Sequence, residues 1–150
     1  MKNITSRLAL IATAALIDWK FSITKPSRIT ADTAIDSLTH LIEAFISKKV
    51  SNFSAALALK AIQLITKNIE KAFYRPCDPV ATEALILGVT LAGMAFSYLS
   101  FELAHGMSRP MEAHLHITHG LSNPLLLTEV TKFSIKFSEN RHAKCAVAAG

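Results

Sequence analysis

The chain has 150 residues, of which 51% are hydrophobic and 18% are charged, and its formal net charge is +5. This length suits one compact domain with a real core, and the composition excludes a disordered chain. The basic residues are scattered and do not alternate with aromatic residues, so we expect no nucleic-acid binding. Cys77 and Cys145 are too few and too far apart for a disulfide framework, which favours a reducing, cytoplasmic location.

The first 29 residues are predicted to form a lead-in segment. An apolar run at residues 8–17 follows basic residues, as the core of a signal peptide would. Trp19 follows at once and the apolar-polar alternation continues through residues 21–24, so we favour a short buried strand or lead-in segment over a signal peptide. We find no apolar run near the roughly 20 residues of a transmembrane helix, and we expect no membrane association.

The spacing of apolar residues after this segment predicts a succession of helices. The first begins at Thr30, a suitable N-cap, and runs to about Ser47. The others are predicted at residues 54–74, 80–97, 100–109 and 122–137, the last as one helix or two, with a further helix from about residue 140. The predicted fold is therefore an all-α domain over residues 30–150.

The third predicted helix, residues 80–97, is apolar almost all round. We therefore expect it to be central and buried, with Gly88 and Gly93 letting another helix or a ligand come close. Pro110 is expected to end the fourth helix, leaving residues 111–119 as an irregular, histidine-rich connection. Pro124 is expected to lie in the first turn of the next helix, where proline is tolerated.

Four of the six histidines fall within residues 105–119. A divalent metal held by His105 and His119 needs further nitrogen or oxygen donors to complete its coordination. Asp36 and His40 supply them, because residues four apart lie on one face of a helix. One carboxylate and three imidazoles suit Fe(II), Zn(II), Mn(II) or Co(II), with positions left open for a substrate oxygen.

The same residues also have ordinary structural interpretations. Asp36 and His40 fit a helix-surface ion pair, and His105 fits a core histidine with satisfied hydrogen bonds. His114 and His116 fit one side of an extended loop, or a place in a pocket beside the metal ligands. Spacing alone leaves a metal site and these alternatives open.

Several linked motifs follow one another in the sequence. Residues 31–40 read Ala-Asp-Thr-Ala-Ile-Asp-Ser-Leu-Thr-His, and Ile-Glu-Ala follows at residues 42–44. Residues 91–97 read Leu-Ala-Gly-Met-Ala-Phe-Ser, residues 105–110 read His-Gly-Met-Ser-Arg-Pro, and residues 119–123 read His-Gly-Leu-Ser-Asn. In order and spacing these motifs resemble the signatures of the iron-containing alcohol dehydrogenase family, and the resemblance runs from about residue 15 to residue 137.

The resemblance implies a helical metal-binding domain like the C-terminal domain of the dehydroquinate synthase-like and iron-containing alcohol dehydrogenase fold. The metal ligands of the family fall on Asp36, His40, His105 and His119. The resemblance further implies Fe(2+), or else Zn(2+) or another divalent metal, and reversible hydride transfer between an alcohol and NAD or NADP. Phe96 and Arg109 are implied to line the active site.

Two features qualify this interpretation. The glycine-rich loop that binds the cofactor pyrophosphate does not occur in these residues, so a separate nucleotide-binding polypeptide or a homodimer partner is a candidate partner. In addition, Glu102 and Glu112 replace glycines that are usual in the family and bring bulk and charge close to the metal helices. The alternative function is a truncated, catalytically inactive remnant that acts at most as a metal-binding or helical interaction module.

Overall fold

The structure, a computed structural model, describes residues 13–97 and 103–150. In these residues a short 3-10 helix and five α-helices occur, and no strand. Their bounds are Trp19–Ser22 for the 3-10 helix, Ser27–Ile46 for α1, Asn52–Tyr74 for α2, Pro79–Phe96 for α3, Leu103–Leu115 for α4 and His119–Ala149 for α5. The predicted all-α fold is confirmed.

The hydrophobic core lies mainly between α1, α2 and α3. Leu41, Ile62, Ile65 and Leu85 are at most 2% exposed. A Cβ added at Gly88 would lie 2.8 Å from Ile65 Cγ1, so α2 and α3 pack this closely because the glycine has no side chain. The expected close approach is thus found at Gly88.

Gly93 does not share this role. A Cβ added at Gly93 would meet no described atom within 4 Å. No described helix comes close to Gly93, and the alternative expectation, that a ligand comes close there, stays a prediction.

Helices α1 and α2 begin earlier than predicted. α1 starts at Ser27, and Thr30 lies in its first turn, where its N–H donates to Pro26 O at 3.3 Å. α2 starts at Asn52 because Ser51 and Ser54 form a reciprocal capping box. The proposed Thr30 cap is therefore wrong, and the fixed φ of Pro26 sets the start of α1 instead.

The predicted N-terminal strand is also wrong in the described residues, while residues 8–12 lie outside them. Leu16 is 98% exposed, and Phe21 is 83% exposed at the 3-10 helix. The Asp18 side chain accepts from the Lys20 N–H at 2.9 Å and stabilises that turn. A strand needs a neighbouring strand for its backbone hydrogen bonds, and among the described residues none is present.

The expectation that α3 is buried all round is wrong. Val80, Leu87 and Met94 recur every seven residues and are 71%, 48% and 46% exposed, so they form an apolar stripe on one side of the helix. By length and composition α3 could cross a membrane, which contradicts the expectation that no segment qualifies, although core helices of soluble proteins pass the same test. The cytoplasmic location stays a prediction.

Both prolines lie deeper inside helices than expected. α4 continues past Pro110 to Leu115, so the irregular connection is only residues 116–118. α5 begins at His119, which makes Pro124 its sixth residue. Ser138 has non-helical angles, φ −152° and ψ 39°, and divides α5 close to the predicted break near residue 140. Residues 98–102, which include Glu102, lie outside the described residues.

Candidate metal centre

The carboxylate of Asp36 lies at the meeting point of three helices. Its Oδ2 is 3.9 Å from Nε2 of His40, one turn further along α1. Its Oδ1 is 3.5 Å from Nε2 of His105 on α4 and 4.0 Å from Nε2 of His119 at the start of α5. The structure therefore places all four predicted ligands around this carboxylate. Donor atoms of Asp36, His40 and His105 lie within 4.8 Å of one another, and His119 lies outside this group of three.

The imidazole rings pack against one another and against Phe96. His40 and His105 are stacked with ring centroids 3.7 Å apart, and the His119 ring is 5.4 Å from His105. Phe96, the last residue of α3, has its ring 4.4 Å from His40. These contacts restrict the rotation of the His40 and His105 rings.

Asn123 holds the Asp36 carboxylate from α5. Its Nδ2 donates to Asp36 Oδ1 at 2.6 Å and lies 3.3 Å from His119 Nε2, and the residue is completely buried. Burial alone would raise the pKa of Asp36, but the bonds from His105 and Asn123, with the nearby His40 and His119, hold that pKa below its ordinary value. Asp36 is therefore a carboxylate anion, the form that binds a cation.

Glu43 lies on α1, in the turn after His40, and contacts His105. Its Oε1 accepts the backbone N–H of Ala104 at 2.7 Å, and its Oε2 lies 3.4 Å from His105 Nδ1. The side chain is only 6% exposed. Since a carboxylate accepts, it favours a proton on Nδ1, and a metal ion would replace the Nε2 proton that faces Asp36.

Glu112 contacts His119. Its Oε1 lies 2.6 Å from His119 Nδ1 and accepts from Ser122 Oγ at 2.8 Å. Burial would raise the pKa of Glu112, but the bonds with His119 and Ser122 and the neighbouring His119 charge keep that pKa below its ordinary value. Glu112 is therefore ionised beside His119.

Gly120 lets the start of α5 lie against α1. A Cβ at this position would be 3.0 Å from Asp32 Cβ, one turn before Asp36. The missing side chain thus helps to bring His119 next to the Asp36 carboxylate.

Comparison with known proteins bears on the same residues. The family model described as Fe-containing alcohol dehydrogenase family, C-terminal, matches residues 30–150. The chain belongs to this family.

Relatives of known name agree with the assignment to the Fe-containing alcohol dehydrogenases. The chain is 38% identical over 133 residues to the probable alcohol dehydrogenase EutG of Escherichia coli (strain K12), covering 89% of the chain and 34% of that protein. It is 38% identical over 145 residues to the 1-propanol dehydrogenase PduQ of Salmonella typhimurium, covering 95% of the chain and 39% of that protein. The chain therefore spans well under half the length of these curated relatives.

A solved structure shows the same fold. The crystal structure of a 1,3-propanediol oxidoreductase superposes with a TM-score of 0.85 at 32% sequence identity, covering 89% of this chain and 35% of that one. The likeness extends over most of the helices described above, which supports the fold class independently of the motifs.

The remaining residues singled out in the sequence lie further out. Arg109 is exposed on α4, one turn after His105. His114 is exposed near the end of α4, and His116 is exposed in the connection with a positive φ of 53°. A role for Arg109 in lining an active site stays a prediction.

Sequence reasoning gave no role to Glu43 and Asn123 and treated Glu112 only as a departure from the family. Glu43 carried a readable signal, because it stands between Leu41 and Phe45 on the buried side of α1. A carboxylate on the buried side of a helix needs a hydrogen-bond donor or an opposite charge as its partner. The partners of Asn123 and Glu112 depend on how α5 meets α1 and α4, which no local pattern indicates.

Proposed function

We propose that Asp36, His40, His105 and His119 bind one divalent metal ion, with Fe(2+) expected and Zn(2+) as the alternative. The observation that carries the proposal is the Asp36 carboxylate, which lies 3.5 to 4.0 Å from the Nε2 atoms of three histidines. Three imidazoles around one partly buried carboxylate are a donor set of the kind that holds such ions.

The distances support the proposal quantitatively. Ligand atoms about 2.1 Å from a tetrahedral ion stand about 3.4 Å from one another. The measured separations from Asp36 oxygens are 3.5 Å for His105, 3.9 Å for His40 and 4.0 Å for His119. The donor atoms of Asp36, His40 and His105 lie within 4.8 Å of one another, and His119 would have to move closer to them by side-chain rotation to complete the set.

Individual residues would have different roles in such a site. When bound, the ion would supply Lewis acidity toward the oxygen of an alcohol or carbonyl compound. Asp36 contributes the negative charge, and Asn123 holds it by donating to Oδ1. Glu43 keeps the Nδ1 proton of His105 away from the site, so that Nε2 remains a donor atom.

We further infer that the chain is the metal-binding part of an NAD(P)-linked alcohol dehydrogenase that interconverts an alcohol and its aldehyde or ketone. Membership of the Fe-containing alcohol dehydrogenase family and the likeness to a 1-propanol dehydrogenase support this inference. Because the chain spans 39% of that relative, we assign NAD or NADP binding mainly to residues of a longer protein, a nucleotide-binding polypeptide or a homodimer partner. Residues 1–29 would be the link to that part.

The metal proposal is tested by metal content and affinity. The chain is purified anaerobically, stripped with a chelator and titrated with Fe(2+) and Zn(2+). We expect one ion per chain, and we expect single alanine variants of the ligands to bind it much more weakly. His114→Ala is the matched control, since this exposed histidine lies near the site without belonging to the set. Failure of the wild-type chain to bind either ion, or equal binding by His105→Ala, would contradict the proposal.

The dehydrogenase proposal needs a separate measurement. The metal-loaded chain is assayed with NAD and NADP over a panel of primary and secondary alcohols, alone and with an added nucleotide-binding domain from a relative. Alcohol oxidation that disappears in His105→Ala supports the proposal. Metal binding without any oxidation in either assay would favour the alternative, a catalytically inactive metal-binding module.

A further inference from the structure

Glu112 makes a contact that the proposed metal site does not itself require. It lies in the last turn of α4, while His119 is the first residue of α5, and residues 116–118 separate the two helices. The 2.6 Å contact between Glu112 Oε1 and His119 Nδ1 bridges this break. His119 has no preceding helical turn to restrict its side chain, so another contact must fix its ring.

The hydrogen-bond pattern determines which nitrogen of His119 faces the site. An ionised carboxylate only accepts, so Nδ1 carries the proton toward Glu112. In the neutral ring Nε2 then keeps its lone pair, and it lies 4.0 Å from Asp36 Oδ1 and 3.3 Å from Asn123 Nδ2. Ser122 Oγ donates to the same Glu112 oxygen at 2.8 Å, and its burial fixes the carboxylate in turn.

An ordinary surface ion pair explains the contact less well. The side chains of Glu112 and His119 are 25% and 40% exposed, so their attraction alone contributes little to folding. The second donor, Ser122, is completely buried, and its hydroxyl also lies 3.0 Å from His119 O. This network fixes the ring direction that turns Nε2 toward Asp36 and Asn123.

We propose that Glu112 is a positioning residue for the metal centre, holding His119 in the tautomer and orientation in which Nε2 is a ligand. The inference rests on the proposed function, because it requires a metal at Asp36, His40, His105 and His119. Carboxylates that orient ligating histidines commonly change metal affinity by 10 to 100-fold when they are removed. Glu112 would thus set how tightly the ion is held.

The test uses the whole chain and Co(2+), whose visible spectrum reports its ligands. We expect Glu112→Ala to weaken Co(2+) affinity by about 10-fold or more. Its spectrum should move toward that of His119→Ala. The matched control is Glu129→Ala, which removes another α5-side carboxylate with an ion-pair contact, 2.7 Å to Lys132, and should bind Co(2+) like the wild type.

Two conservative variants separate positioning from charge. Glu112→Gln keeps the reach and an accepting oxygen but no charge, whereas Glu112→Asp keeps the charge and loses the reach. Positioning predicts that the Gln variant retains more affinity than the Asp variant. The opposite order would overturn the proposal, and because neither variant removes the side chain, the comparison stands if Glu112→Ala does not fold.

A double-mutant comparison tests whether Glu112 acts through His119. In a His119→Ala background, Glu112→Ala should cause no further loss of Co(2+) affinity. An unchanged affinity in the Glu112→Ala single variant, or a loss of metal-free stability as the only effect, would overturn the inference and leave the proposed function intact. Absence of Co(2+) binding by the wild-type chain would instead overturn the proposed metal site, and this inference with it.

Discussion

Glu43 is a buried carboxylate that joins α1 to the start of α4. We expect Glu43→Ala to lower the free energy of unfolding by about 2–4 kcal/mol, because the Ala104 N–H loses its acceptor in a buried place and His105 loses its partner. Urea denaturation of the metal-free chain measures the loss. Glu70→Ala, an exposed carboxylate on α2, is the control and should stay within about 0.5 kcal/mol of the wild type. Equal stabilities of the two variants would contradict the role of Glu43.

The two cysteines should differ in reactivity. Cys77 is exposed, while Cys145 is buried, and burial raises the pKa of its thiol to about 11. At about pH 8 we therefore expect one thiol per folded chain to react rapidly with a disulfide reagent, and two after denaturation. Cys77→Ser should abolish the rapid reaction and Cys145→Ser should leave it. Similar rates for both cysteines in the folded chain would mean that α5 does not pack as described.

At the scale of residues, the sequence indicated the candidate ligands better than their supports. The histidine cluster pointed to His105 and His119, the spacing on one helix face added Asp36 and His40, and the family resemblance implied the same four residues. The partners of Glu112 are seven and ten residues away across a helix break, so no periodicity relates them. Ligand types are visible in a sequence because they are chemically special, whereas their supports depend on tertiary contacts.

Substitution of two glycines in α3 tests directly how closely this helix packs. Gly88→Ala places a Cβ 2.8 Å from Ile65 Cγ1 and 3.2 Å from Leu64 Cβ. Ile65 is fully buried, so the overpacking cost of about 1–3 kcal/mol should exceed the gain in helix propensity of about 1 kcal/mol. We expect a net loss of stability in urea denaturation.

Gly93→Ala is the matched control, because its Cβ would meet no described atom within 4 Å. The same change in helix propensity should here stabilise the chain by up to about 1 kcal/mol. A gain at both positions would show that α2 and α3 do not approach each other as closely as the structure has them.

The prolines show why helix ends were harder to predict than helices. Pro110 and Pro124 each remove one backbone hydrogen bond, and local rules therefore place a helix end nearby. In the structure α4 and α5 continue through them. Contacts elsewhere hold both helices, among them the Glu43 bond to Ala104 and the bond between Asn123 and Asp36. Tertiary contacts of this kind offset a local cost that sequence rules treat as decisive.

At the scale of the whole molecule, the apolar composition of a helix predicted that it is buried, but not which other elements cover it. The apolar residues of α3 predicted a helix covered on all sides. Among the described elements, α1, α2 and the 3-10 helix contact it, and Leu87 and Met94 remain about half exposed. Hydrophobicity measures the free-energy cost of exposing a side chain to water. Whether the side chain is covered depends on which neighbouring elements pack against it.

The proposed ligands come from α1, α4 and α5, so metal binding should stabilise the whole molecule. An ion that binds only the folded state, at a free concentration 100 times its Kd, adds about 2.7 kcal/mol to the free energy of unfolding. For a chain of this size that corresponds to a rise in Tm of about 5–10 °C. Thermal unfolding followed by circular dichroism, with Zn(2+) or Co(2+) and then excess chelator, measures the rise and its reversal.

The variants locate the origin of this stabilisation. His105→Ala should lose most of the rise in Tm, because it breaks the link between α1 and α4, while His114→Ala should keep it. An equal rise in both variants would place the bound ion elsewhere on the chain. If the rise is confined to chains that retain all four ligands, the ion connects the first helix to the last two, and metal binding and folding of this domain are one equilibrium.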